Sequence, residues 1–246
     1  MKLAVISDIH GNIAALEAVL DDVRRRGIET VVNLGDCLSG PFDARATADL
    51  LMRKNFLTVR GNHDRLLIDR PPAEMGQWET WVFDDLDERH LDWIRSLPQV
   101  ARNGEVFLCH ATPDSDEENW LDYRGPGHRL IARDLAEVEF HASGLEYPVM
   151  LCGHTHSPRV VRLPDGRLIV NPGSVGCPAY LDTRGETPFV QQTGAPDARY
   201  AILEELNGDW RADLCAVPYD ASDMAQLAKA RGAENWVRAV TIGWVA

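Results

Sequence analysis

The chain has 246 residues, 45% hydrophobic and 26% charged, which is enough apolar material to bury a core and too much for a disordered polymer. Its 25 basic against 38 acidic side chains give a net charge of -13, which disfavours a protein whose affinity rests on covering nucleic-acid phosphates with cations. Five cysteines at 37, 109, 152, 177 and 215 form no CxxC pair, which argues against a disulfide framework or a thiolate zinc site and indicates a reducing, cytoplasmic compartment.

Residues 3–6 are a short apolar run that reads as a strand and is too brief for a signal-peptide core; no later stretch reaches the ~18 apolar residues of a membrane span. Asn12 then caps a helix carrying Ile13, Leu16, Val19, Leu20 and Val23 at helical spacing, closed by Gly27. Residues 30–34 repeat the strand pattern, Asp43 caps a helix through Lys54, and 56–59 form a third strand ending at Arg60-Gly61. Such alternation predicts βαβ units with strands buried on both faces.

Residues 65–128 fit the alternation least. They place Trp78, Trp81, Trp93 and Trp120 among acids at Asp84-Asp85, Asp87-Glu88 and 114–118, and predict a helical, cap-like insertion. The favoured reading makes the tryptophans a helical core and the acids its solvated face; as a lid, the segment would offer an indole to a nucleobase. Val106–Cys109 reads as a strand, 129–142 as a helix and 149–152 as a strand. Residues 159–163 with 167–170, and 200–206 with 210–217, flank turn residues and predict antiparallel hairpins. Residues 220–231 look helical, and 236–246 fit helix or strand. Without a repeat or low-complexity linker, 1–246 is expected to be one domain.

Five polar clusters each come directly after a predicted strand: Asp8-Ile9-His10, Gly35-Asp36, Gly61-Asn62-His63-Asp64, His110, and Gly153-His154-Thr155-His156. In open α/β sheets the site lies beyond the carboxyl ends of the strands, so these clusters are expected to converge. Asp-x-His and His-x-His would each place two donors on one side of an extended segment, so each pair could chelate. His90, His128 and His141 fall outside the clusters and read as structural or surface residues. Imidazole, carboxylate and amide oxygen without thiolate suit divalent transition metals, manganese or iron first, with zinc, nickel or cobalt as alternatives. Cys37, Cys109 and Cys152 neighbour cluster members but should face the other way and pack in the interior.

The ordered series Asp8-x-His10, Gly35-Asp36, Gly61-Asn62-His63-Asp64, His110 and Gly153-His154-x-His156 resembles the calcineurin-like metallophosphoesterase superfamily over residues 5–156. Asn171-Pro172-Gly173-Ser174-Val175-Gly176 further resembles a turn of small bacterial phosphodiesterases and diadenosine-tetraphosphatase-like members. The resemblance implies an α/β fold, a two-sheet αββα sandwich. It also implies that Asp8, His10 and His156 hold one metal, that Asn62, His110 and His154 hold a second, and that Asp36 bridges them. Asn62 and His63 would lie beside the phosphate, with His63 the non-ligand histidine. Asp64 would either orient the His63 ring or serve the helix start through backbone amides.

On that resemblance, two divalent ions with two aspartates and a bridging hydroxide would leave about one positive charge to receive a phosphoester, and the hydroxide would be expected to attack phosphorus opposite the leaving group. The expected substrate is a small-molecule or nucleotide phosphoester. A diadenosine polyphosphate or a Ser/Thr phosphoprotein is the alternative, and a metal-free scaffold on the same fold is the non-enzymatic rival. No membrane partner and no stable nucleic-acid complex are expected, and the sequence leaves the oligomeric state open.

Overall fold

The computed structural model describes residues 1–183 and 188–245. In chain order the first elements are β1 (Lys2–Ile6), α1 (Ile13–Arg25), β2 (Thr30–Asn33), α2 (Ala44–Lys54), β3 (Leu57–Thr58) and α3 (Asn62–Asp69). Next come α4 (Gln77–Phe83), α5 (Glu88–Ser96), β4 (Val100–Asn103), β5 (Val106–Cys109), β6 (Asp122–Gly125), β7 (Arg129–Ala132) and α6 (Leu135–Ala142). The chain continues through β8 (Val149–Leu151), β9 (Arg159–Arg162), β10 (Leu168–Asn171), β11 (Ala179–Asp182) and β12 (Phe189–Gln192). It closes with β13 (Ala198–Leu206), β14 (Asp209–Val217), α7 (Ser222–Ala230) and α8 (Glu234–Ile242).

The period-two alternation of the strands sets the layering. Leu3 and Val5 point from β1 into an interior shared with Val32, Val106, Leu108, Val149 and Leu151. Ala4 and Ile6, the alternate residues, meet Leu16, Val19 and Val23 of α1 and Leu51 of α2. Two five-stranded sheets, ordered β14-β13-β1-β2-β3 and β4-β5-β8-β10-β9, therefore face each other. Helices cover the first from outside, and α6 covers the second through Val138 and Ala142 against Phe107, Met150 and Ile169. This is the expected αββα sandwich. The parallel runs β1-β2-β3 and β5-β8-β10 end at the rim that carries the polar clusters.

Asn12 and Asp43 cap α1 and α2 as expected, accepting from the Ala15 and Ala46 amides. Both predicted hairpins form, as β9/β10 and β13/β14. The helix expected over 129–142 is corrected: its first part is β7, paired with β6 and β12, and the helix begins only at Leu135. Pairing with the neighbouring β6 and the distant β12 overrides the local apolar spacing there. A further sheet, β11-β12-β7-β6, was not expected. The ambiguous 236–246 segment continues as α8 to Ile242, and Ala246 lies outside the described residues. Within 65–128 the helices stop at Ser96, after which the chain supplies β4 and β5 to the sandwich and β6 to the further sheet. Trp120 is buried with its indole N–H on the Val138 carbonyl, and Trp81 and Trp93 pack against the helical core. Acids of that span meet surface arginines, as in Asp87 with Arg45 and Asp116 with Arg65.

Candidate active site

The turns after the strands carry an uncommon backbone. Asp8, His10, Asp36, His154 and His156 all have left-handed φ, between 52° and 67°. That region costs an L-residue roughly 1–2 kcal/mol, so five instances on one rim are held by their surroundings. Hydrogen bonds supply the hold: the Asp8, His10 and Gly11 amides donate to the carbonyls of Gly35, Asp36 and Cys37, and the Gly153 amide donates to that of His110. The 171–176 turn braces both sides, with the Ser174 hydroxyl on the Asp8 carbonyl and the Asn171 amide on that of Gly153. Close approach also excludes side chains. A Cβ on Gly61 would overlap the Asp36 carboxylate, and one on Gly153 would overlap the Ser7 hydroxyl and come within 2.8 Å of Asp8 Oδ2.

These turns gather side chains 146 residues apart in sequence. Asp8, His10 and His156 form one group, with His10 Nε2 and His156 Nε2 3.2 Å apart and Asp8 Oδ1 3.4 Å from His156 Nε2. Asp36, His110 and His154 form another, and Asn62 Oδ1 lies 3.1 Å from both His110 Nε2 and His154 Nδ1. Asp36 Oδ2 stands between the groups, 3.3 Å from His110 Nε2 and 3.9 Å from His10 Nε2. The spacing argument therefore holds for Asp8 with His10 but not for His154 with His156. Left-handed turns replace the extended backbone it assumed, and the two imidazoles go to different groups.

A family model described as the calcineurin-like phosphoesterase superfamily domain matches residues 1–191. The chain belongs to that superfamily. It is similar to an uncharacterized protein, MJ0912, of Methanocaldococcus jannaschii, 28% identical over 241 residues and covering 89% of this chain and 88% of the relative. Phosphodiesterase MJ0936 of the same organism is 26% identical, covering 83% of this chain and all of its own. A crystal structure of a metallophosphoesterase from Sphaerobacter thermophilus aligns with TM-score 0.74 at 27% identity, covering 99% of this chain and 100% of that one. Like other calcineurin-like phosphoesterases, the chain is a hydrolase of ester bonds.

Divalent metals serve this superfamily, and the hydrogen bonding of the two groups suits such ions. His10 Nδ1 faces the Ser39 carbonyl at 2.7 Å, and His156 Nδ1 faces that of Cys177 at 2.7 Å. Each must donate there, which leaves both Nε2 lone pairs turned toward each other and toward Asp8 Oδ1, a buried oxygen with no hydrogen-bond partner. His154 donates from Nε2 to the Glu117 carbonyl and turns its Nδ1 lone pair to Asn62. Acceptors thus converge among Asp8, His10 and His156, and Asn62 Oδ1 and His154 Nδ1 meet in the other group; a cation satisfies each set together.

Burial, with His156 beside it, holds His10 down to about 3, and burial with His110 nearby holds His154 down to about 4. Both rings are thus neutral ligands-in-waiting. Burial also opposes charge on His110, but the Asp36 carboxylate outweighs it and holds that ring up to about 10. A cation has to displace that proton. Burial raises Asp36 in turn, yet the surrounding imidazoles leave it well below the usual carboxylate range.

His63 sits beside this centre at the start of α3, 6% exposed, and its amide donates to Asp36 Oδ1 at 2.9 Å. Its ring stacks on Trp78 with centroids 4.7 Å apart and planes 16° from parallel. The Asp64 carboxylate accepts from the amides of Asp36, Cys37 and Gly61, the second of its two expected roles. The carboxylate bonded to His63 Nδ1 belongs to Glu79 of α4, which the sequence reading missed.

Trp78 meets Trp236 of α8 at 4.8 Å, and both indoles lie edge-on to His10. Asp8 and His10 are fully buried, while His154 is half-buried. A cavity of about 180 Å³ opens next to His110 and is bounded by Thr112, Asp114 and Asp116. Cys37, Cys109 and Cys152 are buried, as expected, with the Cys109 thiol on the Leu151 carbonyl. Buried His90 takes part in the start of α5, accepting from the Asp87 amide.

Proposed function

We propose that the chain hydrolyses small-molecule or nucleotide phosphoesters with two divalent transition-metal ions, manganese or iron first. Asp8, His10 and His156 would hold one ion, Asn62, His110 and His154 the other, with Asp36 shared. One observation carries this: ring nitrogens and carboxylate or amide oxygens converge in two adjacent groups, with Asp36 Oδ2 within 3.9 Å of a histidine from each. When bound, such ions offset phosphoryl charge and make a water acidic enough to attack near neutral pH.

The side chains have separate tasks. Asn62 and His63 face the phosphoryl group, and His63 stabilises its growing charge and protonates the departing oxygen, a contribution of ~10²- to 10⁴-fold. Trp78 already stacks on His63 and meets Trp236 and Tyr180 with its edges, which favours a wall over a platform for a base. That supports compact phosphoesters, with α4 as the cover of the site. Reducing, cytoplasmic surroundings suit the free thiols. No helix among the described residues is long and apolar enough to cross a membrane.

The test is metal reconstitution and then a screen of bis-p-nitrophenyl phosphate, p-nitrophenyl phosphate, cyclic nucleotides, diadenosine tetraphosphate and a phosphopeptide. We expect two ions per chain by elemental analysis and metal-dependent turnover of the first compounds. Turnover confined to diadenosine tetraphosphate or the phosphopeptide would replace the substrate class. Absence of both metal and turnover would establish the scaffold reading instead.

A further inference from the structure

Glu79 is a carboxylate with no place in the two groups of metal-binding side chains. It lies on α4, 16 residues beyond His63, and is 2% exposed. A carboxylate this deep persists only where hydrogen bonds or an opposite charge compensate its lost hydration. Its Oε1 accepts from His63 Nδ1. Gly76, one turn earlier, makes room for the other oxygen, since a Cβ there would come within 2.7 Å of Glu79 Oε2. The preceding residue, Trp78, lays its indole on the same imidazole. Helix α4 is itself anchored: the Gly40 amide donates to the Trp78 carbonyl at 2.9 Å, and Val82 is fully buried in the helical core.

The His63 ring is thereby fixed in two independent ways. The stack sets its plane, and the hydrogen bond sets its rotation and places a proton on Nδ1. Asp64, next in sequence, is occupied by three amides. We infer that Glu79 is the positioning residue of His63, using the Nδ1 hydrogen bond beneath Trp78 to present Nε2 to the departing ester oxygen. This rests on the phosphoester reading above. In that reaction the water oxygen forms the new P–O bond, and the ester P–O bond breaks with its electron pair going to the leaving oxygen. The His63 Nε2 proton goes to that oxygen, and the proton lost by water restores the ring. Glu79 exchanges no proton; its hydrogen bond orients the ring and keeps the Nδ1 proton in place.

The closing experiment compares Glu79→Met, which removes the acceptor, with Glu79→Gln, which keeps one. In the metal-reconstituted protein we expect Glu79→Met to retain two ions per chain and a KM within about threefold. Its kcat should fall about 10²-fold on an alkyl phosphoester but less than about tenfold on p-nitrophenyl phosphate, whose leaving group needs no proton. Glu79→Gln should stay within about fivefold of the parent on both. A readout independent of turnover is the long-range ¹⁵N–¹H spectrum of the histidine rings in metal-free protein, where His63 should show a protonated Nδ1 in the parent and in Glu79→Gln and lose it in Glu79→Met. Equal losses on both esters, an unchanged Glu79→Met enzyme, or His63 signals indifferent to Glu79→Met would overturn the assignment. If the parent binds two ions yet cleaves no ester, the phosphoester reading fails by itself, and the ring spectrum still decides whether Glu79 positions His63.

Discussion

At Asp8, His10, Asp36, His154 and His156 the backbone accepts left-handed strain, and the return is a set of side chains with nothing but acceptors facing inward. Removing the shared carboxylate should differ from removing the neighbouring imidazole. Asp36→Asn weakens the charge on both groups at once, so the expected outcome is loss of bound metal and of turnover together. His63→Ala should keep two ions per chain while kcat falls by ~10²- to 10⁴-fold, because His63 belongs to neither group. Elemental analysis beside steady-state kinetics separates the two, and equal metal loss in both variants would refute the division. These residues were legible because each comes after an apolar strand and is of a metal-binding type. Glu79 was not, since within Gln77-Trp78-Glu79-Thr80-Trp81 an acid reads as solvated surface, and only the docking of α4 buries it on His63. Asp64 was legible in part: its bond to the Gly61 amide at the start of α3 is local, while its partners Asp36 and Cys37 lie 28 and 27 residues away.

Between elements, α1 is tied to β13 by a polar contact within the helical core. The buried Tyr200 hydroxyl donates to Asp22 Oδ2 at 2.6 Å, and Arg26 and Arg25 bond the same carboxylate. Burial pushes Asp22 up, but the hydrogen bonds from Tyr200, Arg26 and Arg25 outweigh it and leave it below its ordinary 3.8. A depressed carboxylate stabilises the fold above its unfolded pKa and loses that contribution as pH falls through the folded value. Tyr200→Phe should therefore cost about 1–2 kcal/mol at pH 7, and the gap between variant and parent should narrow at about pH 3, as urea denaturation at the two pH values would measure. A gap unchanged with pH would assign the loss to packing alone. The sandwich strands were readable because two buried faces leave continuous apolar runs, as in Val106–Cys109. The sheet formed by β6, β7, β11 and β12 was not: its strands are four residues long, carry charges such as Asp122 and Arg124, and its two strand pairs meet only through β7 and β12, far apart in sequence. β7 is specified locally by its hairpin with β6, but its place beside β12 rests on one pair far apart in sequence, Val190 opposite Arg129.

The superfamily match ends at residue 191, yet the C-terminal segment beyond it is no appendage. β13 lies between β1 and β14, with Val5 opposite Ala201, and α8 sends Trp236 to His10. The whole chain thus frames the site, and its whole charge acts on what arrives there. Two divalent ions would bring the net charge from -13 only to about -9. Asp114 and Asp116 bound the cavity beside His110, and Arg65 is paired with Asp116 and Glu117. With two ions held as proposed, a phosphoester dianion should therefore be repelled on approach and attracted within the centre itself. Salt screens the long-range repulsion, with a Debye length of about 8 Å near 0.15 M, far more than it screens contacts inside a dry site. Consequently kcat/KM for p-nitrophenyl phosphate, a dianion, should rise as potassium chloride increases from about 0.05 to 0.3 M, and the rise should exceed that for the bis-p-nitrophenyl monoanion. A falling kcat/KM would instead mean that local positive potential steers the substrate from outside, and that the acidic rim is electrostatically silent.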